Sequence, residues 1–247
     1  MTSFLTARRL RGVITGTAVA ALVLGTAACG GTTRDDAAAD DSSGSGASAS
    51  ANPDAEIPSG LKIAFLPKQL NNPYFSVADK GGEKAVDALK GDYSEVGPTE
   101  ASASSQVSYI NTLTQQGADV IVTSANDPNA ICSALDQARS GGAKVVTFDS
   151  DTDPKCRDLF INQATAEGIA HTQIDEMAKQ IGGAGKVAIL SATANATNQN
   201  AWIDLMKSYA GEKYPQLEIV TTVYGDDEDE KSFQETQGLL SLSLIHI

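Results

Sequence analysis

Between Ile63 and Val223 the chain repeats one unit: a short run rich in Val and Ile, a polar turn, then a stretch with helical spacing. Ile63–Leu66, Asp119–Thr123, Lys144–Phe148, Lys186–Leu190 and Leu217–Val223 read as strands. Helical patterns lie near Phe75–Leu89, Gln106–Gln116, Ala130–Ser140, Glu167–Ile181 and Trp202–Tyr209. Such alternation predicts βαβ units, hence an α/β fold with parallel sheets. The strands are mostly apolar, which fits sheets covered by helices on both faces. Lys62-Ile-Ala-Phe-Leu66 and Lys186-Val-Ala-Ile-Leu190 match in type at every position, and each leads into an Asn-rich loop with an aromatic residue. The echo predicts two similar α/β lobes, residues 57–160 and 161–240; chance similarity of two short strands is the alternative reading.

The ends of the chain do not fit this pattern. Arg8, Arg9 and Arg11 precede a mostly apolar stretch, Val13 to Leu24, and Gly25-Thr-Ala-Ala28 leads to Cys29. About 12 apolar positions fall short of the roughly 20 that a membrane span needs, so residues 1–29 read as an export signal. Small residues before an early Cys resemble the bacterial lipobox, which makes Cys29 the expected lipidation site; an ordinary cleaved signal is the alternative. Residues 30–56 hold no aromatic and no large apolar residue, so they read as a disordered linker that spans about 30 Å as a flexible coil. The expected location is the outer face of the bacterial cytoplasmic membrane, with the lipid as anchor. At the other end, helical sequence from Asp229 to Leu240 runs into Leu242-Ser-Leu-Ile-His-Ile247 with no turn or cap. That hexapeptide resembles the translation of a transposon end used in library preparation. The expectation is a non-native tail at 241–247 and an incomplete second lobe with two clear strands; a genuine apolar tail is the alternative.

Net charge is −13 and the pI about 4.5. Nucleic-acid binding neutralises phosphates with Lys and Arg, so that class of partner is excluded. Catalytic signatures are missing as well: the sequence has no Gly-x-Ser-x-Gly, no Cys/His pair and no zinc spacing. Gly182-Gly-Ala-Gly-Lys186 follows a helix and precedes a strand, the reverse of a phosphate loop. Asp149, Asp151 and Asp153 have calcium-loop spacing, but Pro154 and Phe160 stand where an EF-hand needs Gly and Glu. No enzyme, cofactor or metal is expected, and the acidic run Asp226–Glu230 reads as a solvated loop and helix start.

What remains points to binding. Lys68, Asn71, Asn72, Tyr74 and Phe75 follow the first strand, at the carboxyl end where open α/β sheets place ligands. One cation, two amides and two aromatic faces suit a small polyhydroxylated ligand. Asp149 and Asp151 follow the third strand run, where a carboxylate accepts strong hydrogen bonds from hydroxyls. Asp127, before Pro128, touches ligand or caps a helix; both readings stay open. Cys132 and Cys156 each follow one of two successive strands; if those strands are neighbours, the two lie within disulfide reach, and two buried thiols are the alternative.

Asn71-Asn-Pro-Tyr-Phe75, Val145-Val-Thr-Phe-Asp-Ser-Asp151, Phe160-Ile-Asn-Gln163 and Ser191-Ala-Thr-Ala-Asn-Ala-Thr-Asn-Gln-Asn-Ala-Trp202 resemble the type I periplasmic sugar-binding proteins of ABC importers. Within that family the likeness is greatest to the rhamnose- and autoinducer-2-binding branch, and it covers Leu61 to Leu240. The resemblance implies two Rossmann-like lobes around a hinge, a sugar in the cleft and a membrane permease as partner; a monomer is expected. Carried over by position, Lys68, Asn72, Tyr74, Phe75, Asp127 and Asp149 line the first lobe, and Asn198, Gln199 and Trp202 the second. Asn198 stands where the autoinducer binders have an acid, which counts against that ligand.

Overall fold

The computed structural model describes residues 56–241. The signal with Cys29, the linker up to residue 55 and residues 242–247 lie outside the described residues. No helix among the described residues is long and apolar enough to cross a membrane.

The first lobe is a five-stranded parallel sheet built from β1 (Lys62–Leu66), β2 (Asp92–Glu95), β3 (Val120–Thr123), β4 (Lys144–Phe148) and β5 (Leu159–Ile161), in the order β2-β1-β3-β4-β5. Its helices are α1 (Pro73–Ala88), α2 (Ala103–Gln115) and α3 (Cys132–Ser140). Asn72 caps α1 by accepting from the Tyr74 N–H at 3.0 Å, and Pro73 takes the first helical position, where a missing N–H costs nothing. Ser102 caps α2 the same way, through Ser105. The core between sheet and helices is Leu66, Ile110, Ile121, Leu135 and Val145, all fully buried. Cys132, at the start of α3, is joined to Cys156, which ends a 3-10 turn (Pro154–Cys156), with the Cα atoms 5.4 Å apart.

The chain leaves the first lobe after β5, one residue beyond the expected boundary at 160. α4 (Ala166–Ile181) then leads into β6 (Gly185–Ser191), α5 (Thr197–Lys213), β7 (Leu217–Tyr224) and α6 (Asp229–Ser241). β6 and β7 form a two-stranded parallel sheet whose register slips between Val187 and Ala188. Gly182, at φ +75°, ends α4 in the left-handed conformation, so the Gly-rich stretch is a connector. A separate core of Ala170, Ile174, Ala178, Val187, Met206 and Leu217 packs α4 and α5 on this sheet.

Two elements, β2 and β5, have no counterpart among the predicted strands. β2 reads Asp-Tyr-Ser-Glu and lies at the edge of the sheet, with one half-buried residue. β5 has three residues at the opposite edge, two of them exposed. Neither buries enough to leave a hydrophobic signature.

Candidate ligand cleft

Parallel pairing aligns the carboxyl ends of β1, β3 and β4: Leu66 pairs with Thr123, and Thr123 with Thr147. The loops after these strands therefore converge at one edge of the sheet. A buried polar frame holds them there. Gln106, fully buried on α2, donates to the carbonyls of Pro67 (3.2 Å) and Ser124 (2.8 Å) and accepts from the Asn126 N–H (2.9 Å). Asn126 donates in turn to the Lys68 carbonyl at 2.9 Å. Sequence reasoning missed Gln106, because nothing in a helical stretch marks an inward-facing amide.

Asp149 is the centre of the cleft. Its backbone adopts φ +57°, a left-handed conformation that Asp tolerates better than most residues and that concentrates at functional sites. Its side chain is buried and accepts from Ser124 Oγ at 2.8 Å, Asn198 Nδ2 at 2.8 Å and Gln163 Nε2 at 3.4 Å. Lys68, 2% exposed, brings its Nζ to 4.0 Å from Asp149 Oδ2. The Tyr74 hydroxyl faces the same carboxylate and is pushed up to about 12, first by burial and then by the Asp149 charge. Phe75 is buried and meets Phe148 edge-on, with ring centroids 6.1 Å apart.

The second lobe meets this edge through loops at the carboxyl ends of its own strands. Besides Asn198, Thr197 donates to the Asp151 carbonyl (2.9 Å) and lies 3.0 Å from Ser150 Oγ. Asn195 donates to Asp127 Oδ2 at 2.8 Å, and Gln69 donates to the Asp227 carbonyl at 2.8 Å. The structure thus brings Lys68, Tyr74, Asp149 and Asn198 together.

Other candidates have different work. The Asn72 carbonyl is spent on the α1 cap. Asp127 Oδ1 accepts from the Asn129 and Ala130 N–H groups, so this side chain both caps a turn and bridges the lobes. Asp151 is bound by Arg157 at 2.7 and 2.8 Å and by Thr147 at 2.5 Å, which neutralises it as a ligand group. Asp153 caps the 3-10 turn. The Gln199 carbonyl accepts from Ser191 Oγ and the Ala192 N–H, turning the amide into its own lobe, and Trp202 packs on the second core. A surface concavity of about 650 Å³ by the disulfide, lined by Asn129, Ser133, Asp136 and Lys155, contains none of the candidate ligand residues.

The acidic run after β7 is not a plain solvated loop. Asp226 and Asp227 are both left-handed, at φ +56° and +62°. The Gly225 and Asp226 N–H groups donate to the carbonyls of Ser191 and Ala192, at 2.9 and 3.0 Å. Glycine at 225 lets the loop pass close to α6, since a Cβ there would sit 3.0 Å from Ser232 Cβ and 3.1 Å from its Cα. Asp227 Oδ2 is buried without a hydrogen-bond partner among the described residues. Burial holds this carboxyl above the usual carboxylate range; Lys68 opposes the shift, and Asp149 adds to it.

Residues 63–245 match the periplasmic binding protein domain. The chain belongs to that family. A solved sugar ABC transporter protein from Actinomyces odontolyticus is 52% identical, with a TM-score of 0.55, over 76% of this chain and 63% of its own. An ABC transporter solute-binding protein from Clostridium phytofermentas, solved with bound L-rhamnose, is 36% identical with a TM-score of 0.73, over 74% of this chain and 58% of its own. The ribose import binding protein of Bacillus subtilis is 26% identical over 185 residues, which are 75% of this chain and 58% of that protein. The chain thus spans about three-fifths of the length of these members of the family.

Proposed function

We propose that this chain is the ligand-capturing part of an exported solute-binding protein that takes a small neutral sugar, L-rhamnose first, and delivers it to an ABC permease. The observation that carries the reading is the Asp149–Asn198 pair. It joins a buried first-lobe carboxylate to a second-lobe amide, beside Lys68 and the Tyr74 hydroxyl, whose ring packs edge-on against Phe75. Carboxylate, amide and ammonium supply acceptors and donors for hydroxyls, and the rings supply flat faces for C–H groups. Groups drawn from both lobes let a ligand hold the lobes together, which is capture by hinge closure and involves no bond-making. The relative solved with L-rhamnose supports that choice of sugar, and an amide at Asn198 favours a plain sugar over autoinducer-2. In this reading the protein is a monomer tethered through a lipid on Cys29.

Calorimetric titration with L-rhamnose, ribose, xylose, galactose and autoinducer-2 tests it. The expected result is binding of one neutral sugar, and weakening by several kcal/mol in Asp149→Ala, since charge-assisted hydrogen bonds contribute about 1.5–3 kcal/mol each. Binding of only a peptide, an amino acid or a metal ion would sink the proposal. Mass spectrometry of the exported protein should find a diacylglyceryl-modified Cys29 at the N-terminus, and a mature end elsewhere removes the anchor.

A further inference from the structure

We propose that Arg157 is a positioning residue of the cleft: it grips Asp151 and thereby fixes the loop that presents Asp149 and meets the second lobe. The inference rests on the sugar-capture reading and gives a role to an ion pair outside the candidate ligand set.

The left-handed backbone at Asp149 is a conformation that persists only where its surroundings over-determine it. Two residues further on, Asp151 supplies that constraint. Its carboxylate accepts from the Arg157 fork at 2.7 and 2.8 Å, from Thr147 Oγ1 on β4, and from the Thr152 N–H at 2.9 Å. The two charged side chains are only 19% and 18% exposed, so loss of the guanidinium leaves a mostly buried carboxylate uncompensated. Arg157 is itself held at both ends. Its backbone follows Cys156, which is tied to Cys132, and its guanidinium carbon lies 5.5 Å from the centre of the Phe160 ring. Phe160 belongs to β5, the last strand before the chain enters α4, and Gln163 just beyond it donates to Asp149 at 3.4 Å. From the second lobe, Thr197 donates to the Asp151 carbonyl and Asn198 to the Asp149 carboxylate. One guanidinium therefore connects the loop that carries the ligand carboxylate, the strand that leads out of the first lobe and, through Asp151, the start of α5. A lysine cannot replace it fully, since only a planar fork grips both carboxylate oxygens while covering a ring. Loosening this pair should weaken capture without removing any group of the candidate ligand set.

The test measures sugar binding by the full chain and by Arg157→Ala, Arg157→Lys, Asp151→Asn and the double variant Arg157→Ala with Asp151→Asn. The probe is L-rhamnose, or the sugar of the calorimetric series that the parent binds, with dissociation rates from stopped flow. Arg139→Ala is the control, because that arginine pairs with Asp158 and the Lys155 carbonyl in the same lobe and does not reach Asp151. The expected result is at least about tenfold weaker binding in Arg157→Ala and Asp151→Asn, carried by faster dissociation. Arg157→Lys should lose less, and the double variant no more than the larger single loss, because the two side chains act as a unit. Arg139→Ala should bind as the parent does. Arg157→Lys and Asp151→Asn keep the test decisive where Arg157→Ala does not fold, since both must bind more weakly than the parent. A merely structural role would lower the melting midpoint and leave the affinity and dissociation rate of the folded variants at the parent values, which overturns the inference. Additive losses in the double variant, or an equal loss in Arg139→Ala, overturn it too, and in each of these cases the sugar-capture reading stands. A parent chain that binds none of the sugars overturns both.

Discussion

The two lobes open on almost the same five residues and differ in how deeply they bury their strands. In the first, β1 lies between two parallel neighbours, and Ile121 on the adjacent strand is wholly inaccessible. In the second, β6 has one strand neighbour among the described residues; Leu190 at its end is exposed, and Ile219 on β7 is half-buried. The same sequence pattern therefore yields a close-packed core in one place and a thin one in the other, because strand burial depends on what lies on both sides of a strand and on both faces of its sheet. Stability should be divided unequally between the lobes.

The largest effect should come from matched truncations. Ile121→Ala is expected to cost about 2–5 kcal/mol, the range for fully buried aliphatic residues, and Ile219→Ala less than half of that, by denaturant unfolding. Equal costs would erase the contrast between the lobes. Removing the bridge with Cys132→Ser and Cys156→Ser should cost about 3 kcal/mol for a loop of this length. That loss belongs to the first lobe. Trp202, the sole tryptophan, reports on the second. A shift in the circular-dichroism transition without an equal shift in Trp202 fluorescence would separate the lobes; coincident shifts would make them one cooperative unit.

A third prediction concerns a single buried acid in the first lobe. Asp79 lies on the inner face of α1 between Phe75 and Val86, 2% exposed, with neither carboxylate oxygen hydrogen-bonded to a donor among the described residues. Burial, then Glu95, raises it from 3.8 to about 7. The folded-state value lies above the unfolded one, so the stability contributed by the neutral carboxyl is complete below about pH 4. It is lost as the pH rises to about 7. Asp79→Asn should flatten that fall and raise the melting midpoint at about pH 8 by about 2–4 °C, roughly 1 kcal/mol at this size. An unchanged pH profile would refute the assignment. The smallest effect belongs to the exposed contact between the lobes. Asn195→Ala removes one hydrogen bond to Asp127, about 1 kcal/mol or less. It should broaden the interlobe distance distribution between spin labels placed at Ser140 and Glu212; an unaltered distribution would show that this bond does not restrain the lobes.

Much of this was readable in advance, for physical reasons. Strands of parallel sheets that helices cover carry Val and Ile runs, even where the burial is as thin as in the second lobe, so β1, β3, β4, β6 and β7 were visible to within a residue or so. The polar edge strand Asp92–Glu95 and the three-residue β5 were not. At the cleft, Lys68 and Asp149 were legible because each directly follows a strand, and topology sends such residues to one edge. Residue type alone could not say which way an amide turns. Asn198 reaches across to Asp149, whereas its neighbour Gln199 folds back on Ser191, a choice made by helix phase and loop path. The left-handed pair Asp226 and Asp227 was hidden in a run of five acids, because residue type does not show a backbone turn.

The order of strands along the chain bears on how the protein is made. Every strand of the five-stranded sheet falls between Lys62 and Ile161, with no later described segment inserted among them. At a synthesis rate of about 5–20 residues per second, that span takes about 5–20 s to emerge. The N-terminal lobe thus holds all its pairing partners before β6 exists and can close while the ribosome is still working. Its disulfide also falls within that span, so an oxidising compartment can lock the first half of the molecule before the second half arrives.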